Sequence, residues 1–418
     1  MTQAPDRPVG VNDVARVAAP ATTFQNDNQY TGEAASAPYL ERVDVFQRWR
    51  EKEGVPLVGG VYHRNLKTLE VGAWPRKGVL GAHCYLDGDD GTDEHVVEIP
   101  PGKSTIPEHH MYDEAVYVLS GRGACTVSQF DGTKTSFEFG EGAFFAVPLN
   151  ATVQYHNGSG FQPCRFFSVT NLPQMMRQFL GNEDFIWNCN YDFKDRFAGQ
   201  NEYFDAKGKL WRGRIWETNF VPDVKGMRLW EWKERGGGGT NAFFMLAGGA
   251  INSHVSRFQS GTYKKGHWHG PTAHLYVTHG EGYVLMRREG EEFMKCDWQE
   301  GSMYISGAGP GIWLHQHFNV GHTPAEYLVL GVHPARRYAM SRWNANDATD
   351  RNTADLSVKK GGIQVEYEDE DRIVHEIFEE ELRKRGIECR MKGYIPWCTG
   401  VEGPSKKGEW GDEKVAPV

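Results

Sequence analysis

The residues best suited to chemistry are three histidines in the second half of the chain. His267 and His269 flank Trp268 in a strand-like segment, and side chains two residues apart on a β-strand point to the same face. Two imidazoles in this arrangement can share one metal ion. His315 is the predicted third ligand, because a turn at Pro310-Gly311 would start a returning strand there. The sequence therefore predicts a metal site held by these three histidines.

Three further residues are candidates for catalytic roles near this site. His317 would share the strand face of His315 and could carry a proton or contact a substrate. His274 would point away from the metal on a regular strand, as an outer or interface residue, or become a fourth ligand at a local bulge. Arg257 could bind a substrate carboxylate through two nitrogens, or form an inter-strand ion pair.

An internal repeat indicates which elements position these residues. A pattern of glycines, potential ligands and strand residues recurs 159 residues further along the chain without a gap. The matched positions are Gly102, Glu108, His110, Glu114, Tyr117 and Gly121 in the first copy and Gly261, His267, His269, Ala273, Tyr276 and Gly280 in the second. Short runs of Val, Phe, Tyr and Thr between Gly, Asp and Pro surround both copies, as in many-stranded barrels. The sequence predicts two copies of one β-fold.

The second copy resembles the first motif of the cupin superfamily, G(X)5HXH(X)3-4E(X)6G, from Gly261 to Gly280. Pro310, His315 and Asn319 resemble the end of its second motif. The resemblance covers roughly residues 60 to 345. It implies an all-β chain of two tandem cupin (jelly-roll) barrels with a few flanking helices.

Ala273 stands where that family has a glutamate ligand. A three-histidine site is similar to that of the gentisate and 1-hydroxy-2-naphthoate dioxygenase group of bicupins, whose functional site is usually in the first barrel. This implies Fe(II), with Mn, Ni or Co able to substitute, and O2 with a small phenolic or hydroxy-carboxylate substrate. One alternative is a non-redox cupin decarboxylase, isomerase or lyase acting on a small carboxylate. Another is a binding or storage protein without catalysis.

The first copy offers Glu108, His110 and Glu114 as ligands, and its fourth position is ambiguous. Anchoring the alignment on the turn proline places Val153 at the position of His315, so that the first site lacks a ligand and is structural. Keeping the unbroken offset instead places His156 there, which would complete a second, carboxylate-rich metal site.

Four regions are predicted along the chain: a flexible N-terminal arm (1–38), an N-terminal cupin domain (39–200), a C-terminal cupin domain with the metal site (201–345), and a C-terminal helix and tail (346–418). A helix is expected over 40–52. A second helix should begin at Asp371 and end at Gly386. The apolar stripe of the second helix is predicted to be Ile373, Ile377, Phe378 and Leu382. The arm and the tail are interpreted as straps of a homodimer or larger homo-oligomer.

Composition excludes several classes of protein. A net charge of −9 gives no electrostatic case for binding nucleic acid. No apolar run approaches the roughly 18 residues of a membrane span, and the N-terminus lacks the pattern of a secretory leader. The seven cysteines are widely spaced without a CxxC pair, which is typical of reduced, structural thiols in a cytoplasmic protein.

Overall fold

The computed structural model describes residues 44–401, except 88, 90, 212–213, 270–272, 308–310 and 333–355. The predicted N-terminal arm, 1–38, lies outside the described residues, as does most of the tail beyond 401. Four α-helices occur in this part of the chain, and they are α1 (Val45–Glu53), α2 (Leu172–Gln178), α3 (Glu183–Trp187) and α4 (Arg372–Arg385). None of the described helices has the length and the apolar character needed to cross a membrane.

Strands dominate the rest of the structure. Those of the first half are β1 (Leu57–Gly60), β2 (Tyr62–His63), β3 (Gly72–Trp74), β4 (Val79–Leu86), β5 (Asp93–Ile99), β6 (Glu114–Ser120), β7 (Arg122–Ser128), β8 (Lys134–Gly140), β9 (Phe144–Val147), β10 (Thr152–His156) and β11 (Cys164–Thr170). Those of the second half are β12 (Gly208–Trp211), β13 (Ile215–Thr218), β14 (Phe220–Val221), β15 (Trp230–Glu231), β16 (Thr240–Leu246), β17 (Ile251–Phe258), β18 (His267–His269), β19 (His274–His279), β20 (Glu281–Arg287), β21 (Met294–Gln299), β22 (Met303–Ile305), β23 (Trp313–Asn319) and β24 (Ala325–Val332).

Each half forms a barrel from one large and one small sheet. The first barrel has an eight-stranded sheet, β1-β4-β5-β11-β6-β9-β14 with β3 beside β4, and a three-stranded sheet, β10-β7-β8. The second has a nine-stranded sheet, β12-β13-β16-β17-β24-β19-β22-β2 with β15 beside β16, and a four-stranded sheet, β18-β23-β20-β21. The orders β11-β6-β9 and β24-β19-β22 correspond, as do β10-β7-β8 and β23-β20-β21. The predicted repeat and the two tandem barrels are therefore confirmed.

Alternation of side chains along the strands produces two faces. On β8 the buried Phe137 and Phe139 alternate with exposed residues, which is the period of two that a half-buried strand requires. Both phenylalanines belong to the core inside the first barrel, together with Val116 and Val118 of β6. The opposite face of β6 carries Tyr117, which belongs to a different cluster.

The large sheets of the two barrels pack against each other through that second cluster. Tyr117 and Tyr276, which are equivalent in the repeat, meet with their ring centroids 4.9 Å apart. Phe144 and Phe244 meet at 5.5 Å. The short strand β14 pairs with β9 of the first barrel, and β2 pairs with β22 of the second. The predicted domain boundary at 200/201 stays a prediction, and each large sheet includes one strand from the other side of it.

Helix α4 covers the outer face of the small sheet of the second barrel. The Asp371 side chain accepts from the backbone N–H of Ile373 at its start, and Gly386 ends it in the left-handed conformation. The ring of Phe378 lies 4.9 Å from that of Tyr263 and 5.7 Å from that of Phe318. The C-terminal helix thus contacts its own barrel, and a homo-oligomer stays a prediction.

Candidate metal centre

The structure brings the three predicted ligands together inside the second barrel. His267 of β18 and His315 of β23 are directly opposed in an antiparallel pair, and His269 follows on the same face of β18. The ring centroid of His315 lies 4.0 Å from that of His267 and 4.4 Å from that of His269. One ring nitrogen from each histidine lies within 4.8 Å of the other two. A single ion at their centre would be within reach of all three.

The donor set fits a divalent ion. Burial, and then the neighbouring Arg235 and histidine charges, hold the pKa of His267 well below its usual range. Burial and the adjacent His269 have the same effect on the pKa of His315. The Nδ1 atoms of both rings are buried and have no hydrogen-bond partner in the described structure. Unpaired buried nitrogens are costly, and neutral imidazoles with free lone pairs are the form that binds metal.

His317 lies beside this group, on the same face of β23 as His315. The two ring centroids are 5.4 Å apart. Nδ1 of His317 is 3.1 Å from the hydroxyl of Tyr304, which fixes the ring. Burial, and then the charges of Lys264 and Arg235, hold the pKa of His317 well below its usual range. The catalytic role predicted for His317 is compatible with this position.

Lys264 is a buried cation of this site that the sequence analysis missed. Its side chain is 4% exposed. Its ammonium group donates to the hydroxyl of Ser256 and, over 3.0 Å, to that of Tyr327. The ammonium nitrogen also lies 5.0 Å from the ring centroid of Phe258. Within the described residues no carboxylate pairs with it, and burial together with Arg235 holds its pKa well below the usual range.

Arg235 is the second cation that the sequence analysis missed. It is 7% exposed, and its guanidinium carbon lies 5.1 Å from the ring centroid of Trp232. Its charge lowers the pKa of Lys264 and of the histidines at the site. The sequence carried no clear signal for it, since it precedes a glycine run, 236–239, that reads as a flexible loop. The charges of Arg235 and Lys264 both act on His317.

His274 is not part of this centre. It lies on the face of β19 that meets the first barrel, because its strand neighbour Leu275 takes the inward position. Its Nδ1 pairs with the carboxylate of Glu94, and its Nε2 lies 3.0 Å from that of Asp89. This placement corrects the predicted catalytic role and also excludes the bulge that would have made it a ligand. The alternative interpretation, an interface residue, matches the structure.

Arg257 also faces away from the metal centre. On β17 its neighbours Ser256 and Phe258 point into the barrel, so the period of two directs Arg257 to the other face. There it forms an ion pair of 2.7 Å with Glu326 of β24 and donates to the carbonyl of Lys225. The predicted substrate contact is therefore corrected to an inter-strand ion pair.

The first barrel lacks the equivalent of His315. Its bridge between Glu108 and Val153 corresponds to the pairing of His267 with His315, as the proline-anchored alignment predicts. His156 instead lies 2.9 Å from Ser104 Oγ at the edge of the sheet. The structure thus does not bring His156 to the other potential ligands.

The potential ligands of the first barrel have partners of their own. The Glu108 carboxylate is paired with Arg76 and Lys77. Nε2 of His110 lies 3.2 Å from Glu114. This pattern fits the structural role predicted for the first site.

Comparison with known proteins agrees with the fold. Residues 95–170 match the family model described as a cupin domain. No curated protein matches the chain. The oxalate decarboxylase of Lactobacillus farciminis, solved as a formate complex, is 14% identical with a TM-score of 0.45, covering 72% of this chain and 95% of that one. A Bacillus subtilis oxalate decarboxylase structure concerned with Mn(II) centres is 15% identical with a TM-score of 0.43, covering 72% of this chain and 86% of that one.

These comparisons contradict the prediction of an Fe(II)-dependent aromatic dioxygenase. Solved structures similar to this chain include oxalate decarboxylases, and O2 as a co-substrate is not supported. The prediction was wrong because it took the absence of the glutamate ligand at Ala273 as a sign of a dioxygenase. Three neutral imidazoles leave a bound ion with its full divalent charge, and that charge serves Lewis-acid chemistry as well as redox chemistry. The absence of the glutamate therefore does not select a dioxygenase.

Two observations relate this chain to the cupin fold independently of those distant structures. A cupin domain is matched in the first half of the chain. The second half repeats its strand order and carries the paired histidines on β18. Residues 95–170 therefore match a cupin domain, and the second half of the chain repeats the fold of that domain.

Proposed function

We propose that the second barrel is the active site of a metal-dependent, non-redox enzyme that acts on a small carboxylate as a decarboxylase, isomerase or lyase. The observation that supports this most directly is the buried ammonium group of Lys264 beside the histidines of the site. Lys264 has no carboxylate partner in the described structure, and its charge and that of Arg235 both act on His317. A buried ammonium group requires compensation, and an anionic substrate would supply it.

His267, His269 and His315 would hold the ion, and Mn(II), Ni(II), Co(II) or Zn(II) suits such donors. When bound, the ion would act as a Lewis acid towards a carboxylate or carbonyl oxygen. Arg235 would attract and orient the substrate carboxylate. This division of roles needs no residue of the first barrel.

Lys264 is the proposed proton carrier. Burial and the charge of Arg235 hold the pKa of Lys264 well below its usual range, which favours the neutral amine that can accept a proton. An anion bound beside it favours the charged form, so that it can return the proton. Hydroxyls of Ser256 and Tyr327 fix the position of its nitrogen. His317, held by Tyr304, is close enough to the site to serve as a second proton carrier.

The test is an anaerobic assay of metal-loaded protein. The purified chain is depleted of metal, reloaded with Mn(II) or Zn(II), and incubated without O2 with a panel of small mono-, di- and hydroxy-carboxylates. Substrate loss and CO2 release are followed by NMR and mass spectrometry. We expect turnover of at least one carboxylate. The Lys264→Met variant should have a kcat lower by about 10²–10⁴-fold, because methionine fills a similar side-chain volume but cannot carry a proton.

His267→Ala should abolish turnover and remove about one metal ion per chain. Arg257→Gln is the control, since it removes a largely buried cation that faces away from the site, and its kcat per folded protein should be unchanged under conditions in which the variant is folded. Turnover that depends on O2, or a Lys264→Met variant with full activity in the presence of metal, would overturn the proposal.

A further inference from the structure

A second group of potential ligands lies outside both barrels, in the C-terminal segment. His375 and Glu379 are one turn apart on α4, and Cys389 and Cys398 follow in the tail. One ligand atom from each of the four lies within 4.8 Å of all the others. Three of the residues are buried and Cys398 is partly buried. We propose that these four residues bind a structural zinc ion.

The distances between the ligand atoms are those of a tetrahedral zinc site. Zinc lies about 2.3 Å from sulfur and about 2.0–2.1 Å from nitrogen or oxygen. Tetrahedral angles then place two sulfurs about 3.8 Å apart, nitrogen and oxygen about 3.4 Å apart, and sulfur and oxygen about 3.6 Å apart. The structure has 3.6 Å between the Cys389 and Cys398 sulfurs, 3.2 Å between His375 Nε2 and Glu379 Oε1, and 3.6 Å between Cys398 Sγ and Glu379 Oε1.

A disulfide does not explain the cysteine pair. Bonded sulfurs lie about 2.05 Å apart, whereas both cysteines are free thiols with their sulfurs 3.6 Å apart. A separation of this size leaves space for an ion between them.

Hydrogen bonds around the cluster leave Nε2 of His375 free to bind an ion. The hydroxyl of Tyr263 donates its one proton to Glu370 and lies 3.1 Å from Nδ1 of His375. It must therefore accept from Nδ1–H, which leaves the lone pair of Nε2 free. That lone pair faces an oxygen of the Glu379 carboxylate. Two acceptors this close repel each other unless a cation or a proton lies between them.

The Glu379 carboxylate is itself fixed in place. The backbone N–H groups of Thr399 and Gly400 donate to its Oε1 over 3.0 and 3.1 Å, and Arg383 donates to its Oε2. Such outer hydrogen bonds orient ligands in metal sites. All four positions around the ion would be filled by protein, which is typical of structural zinc and leaves no place for a substrate. The ion would fasten the tail to α4.

Cobalt substitution tests the proposal on the full-length protein. Metal-free protein is titrated with Co(II) alone while the absorption spectrum is recorded. We expect a thiolate-to-cobalt charge-transfer band that saturates at about one equivalent and disappears when Zn(II) is added. The three-histidine site contains no sulfur and cannot produce this band, so the result is independent of the proposed function.

Variants and mass spectrometry complete the test. Cys398→Ser should lose the band and about one equivalent of zinc, whereas Cys296→Ser, a partly buried cysteine outside the cluster, should keep both. Absence of the band from the unsubstituted protein would overturn the proposal and indicate that a proton bridges His375 and Glu379. A mass lower by two hydrogens, located to a peptide linking Cys389 and Cys398, would overturn it in favour of a disulfide.

Discussion

Val153 and His315 occupy equivalent places on β10 and β23, so the first barrel has an apolar side chain where the second has its third histidine. This difference was predictable, because the turn proline fixes where the returning strand begins and therefore which residue faces His267 or Glu108. The positions of the Lys264 and Arg235 side chains could not be predicted from the sequence. A lysine side chain has several rotatable bonds, and the nitrogen of Lys264 is placed by hydroxyls from two other strands.

Arg257 provides a test at the same scale. Arg257→Gln should lower the free energy of unfolding by about 3–5 kcal/mol, because it leaves the Glu326 carboxylate, 2% exposed, without its ion-pair partner. Chemical denaturation monitored by tryptophan fluorescence measures the change. The double variant Arg257→Gln/Glu326→Gln should recover most of the loss, since no buried charge remains. An unaltered stability in the single variant would show that the pair is not buried in solution.

At the scale of elements, the strands of the repeat followed from the sequence because glycines and strand residues recur at a constant offset. The helix at the C-terminus was also predicted with the correct cap residues, but its buried face was partly misplaced. Val374, Phe378 and Leu382 are buried, whereas Ile373 is 42% exposed. Positions four residues apart share a helix face, and which of two overlapping stripes turns inward depends on the sheet beneath.

Phe378 and Ile373 form a matched pair for testing that face. Phe378→Ala should destabilise the protein by about 3–5 kcal/mol, because the ring is fully buried between α4 and the small sheet. Ile373→Ala removes apolar surface that is already partly in water, so we expect a loss below about 1 kcal/mol. Thermal and denaturant unfolding of both variants gives the comparison. Equal losses would mean that the helix is rotated relative to the described packing.

At the scale of the whole molecule, the interface between the barrels contains a buried cluster of charged residues that no local sequence pattern predicted. His274 meets Glu94, which is 180 residues earlier in the chain. Burial lowers the pKa of His274, but the carboxylates of Glu94 and Asp89 outweigh it and raise the pKa to about 10. The alternation of residues along a strand predicts which side chains share a face. It does not predict which distant strand that face will pack against.

This cluster predicts a pH dependence of stability. An unfolded histidine has a pKa of about 6.5, so the folded state retains a proton that the unfolded state loses above that pH. The stabilisation is complete below about pH 6.5 and is lost as the pH rises towards 10. The unfolding free energy should therefore fall between pH 7 and pH 9.5, and fall less in the double variant His274→Met/Glu94→Gln. Identical slopes in the two proteins would show that His274 is not protonated in the folded state.

The two short strands that cross between the barrels have a consequence for how the chain can be divided. A fragment ending near residue 200 would lack β14, and a fragment beginning there would lack β2, so each would expose an unpaired sheet edge. Each fragment would also expose the aromatic surface that the large sheet of the other barrel covers in the full chain. We therefore expect the two repeats to unfold as a single cooperative unit, and neither half to be stable when it is expressed alone.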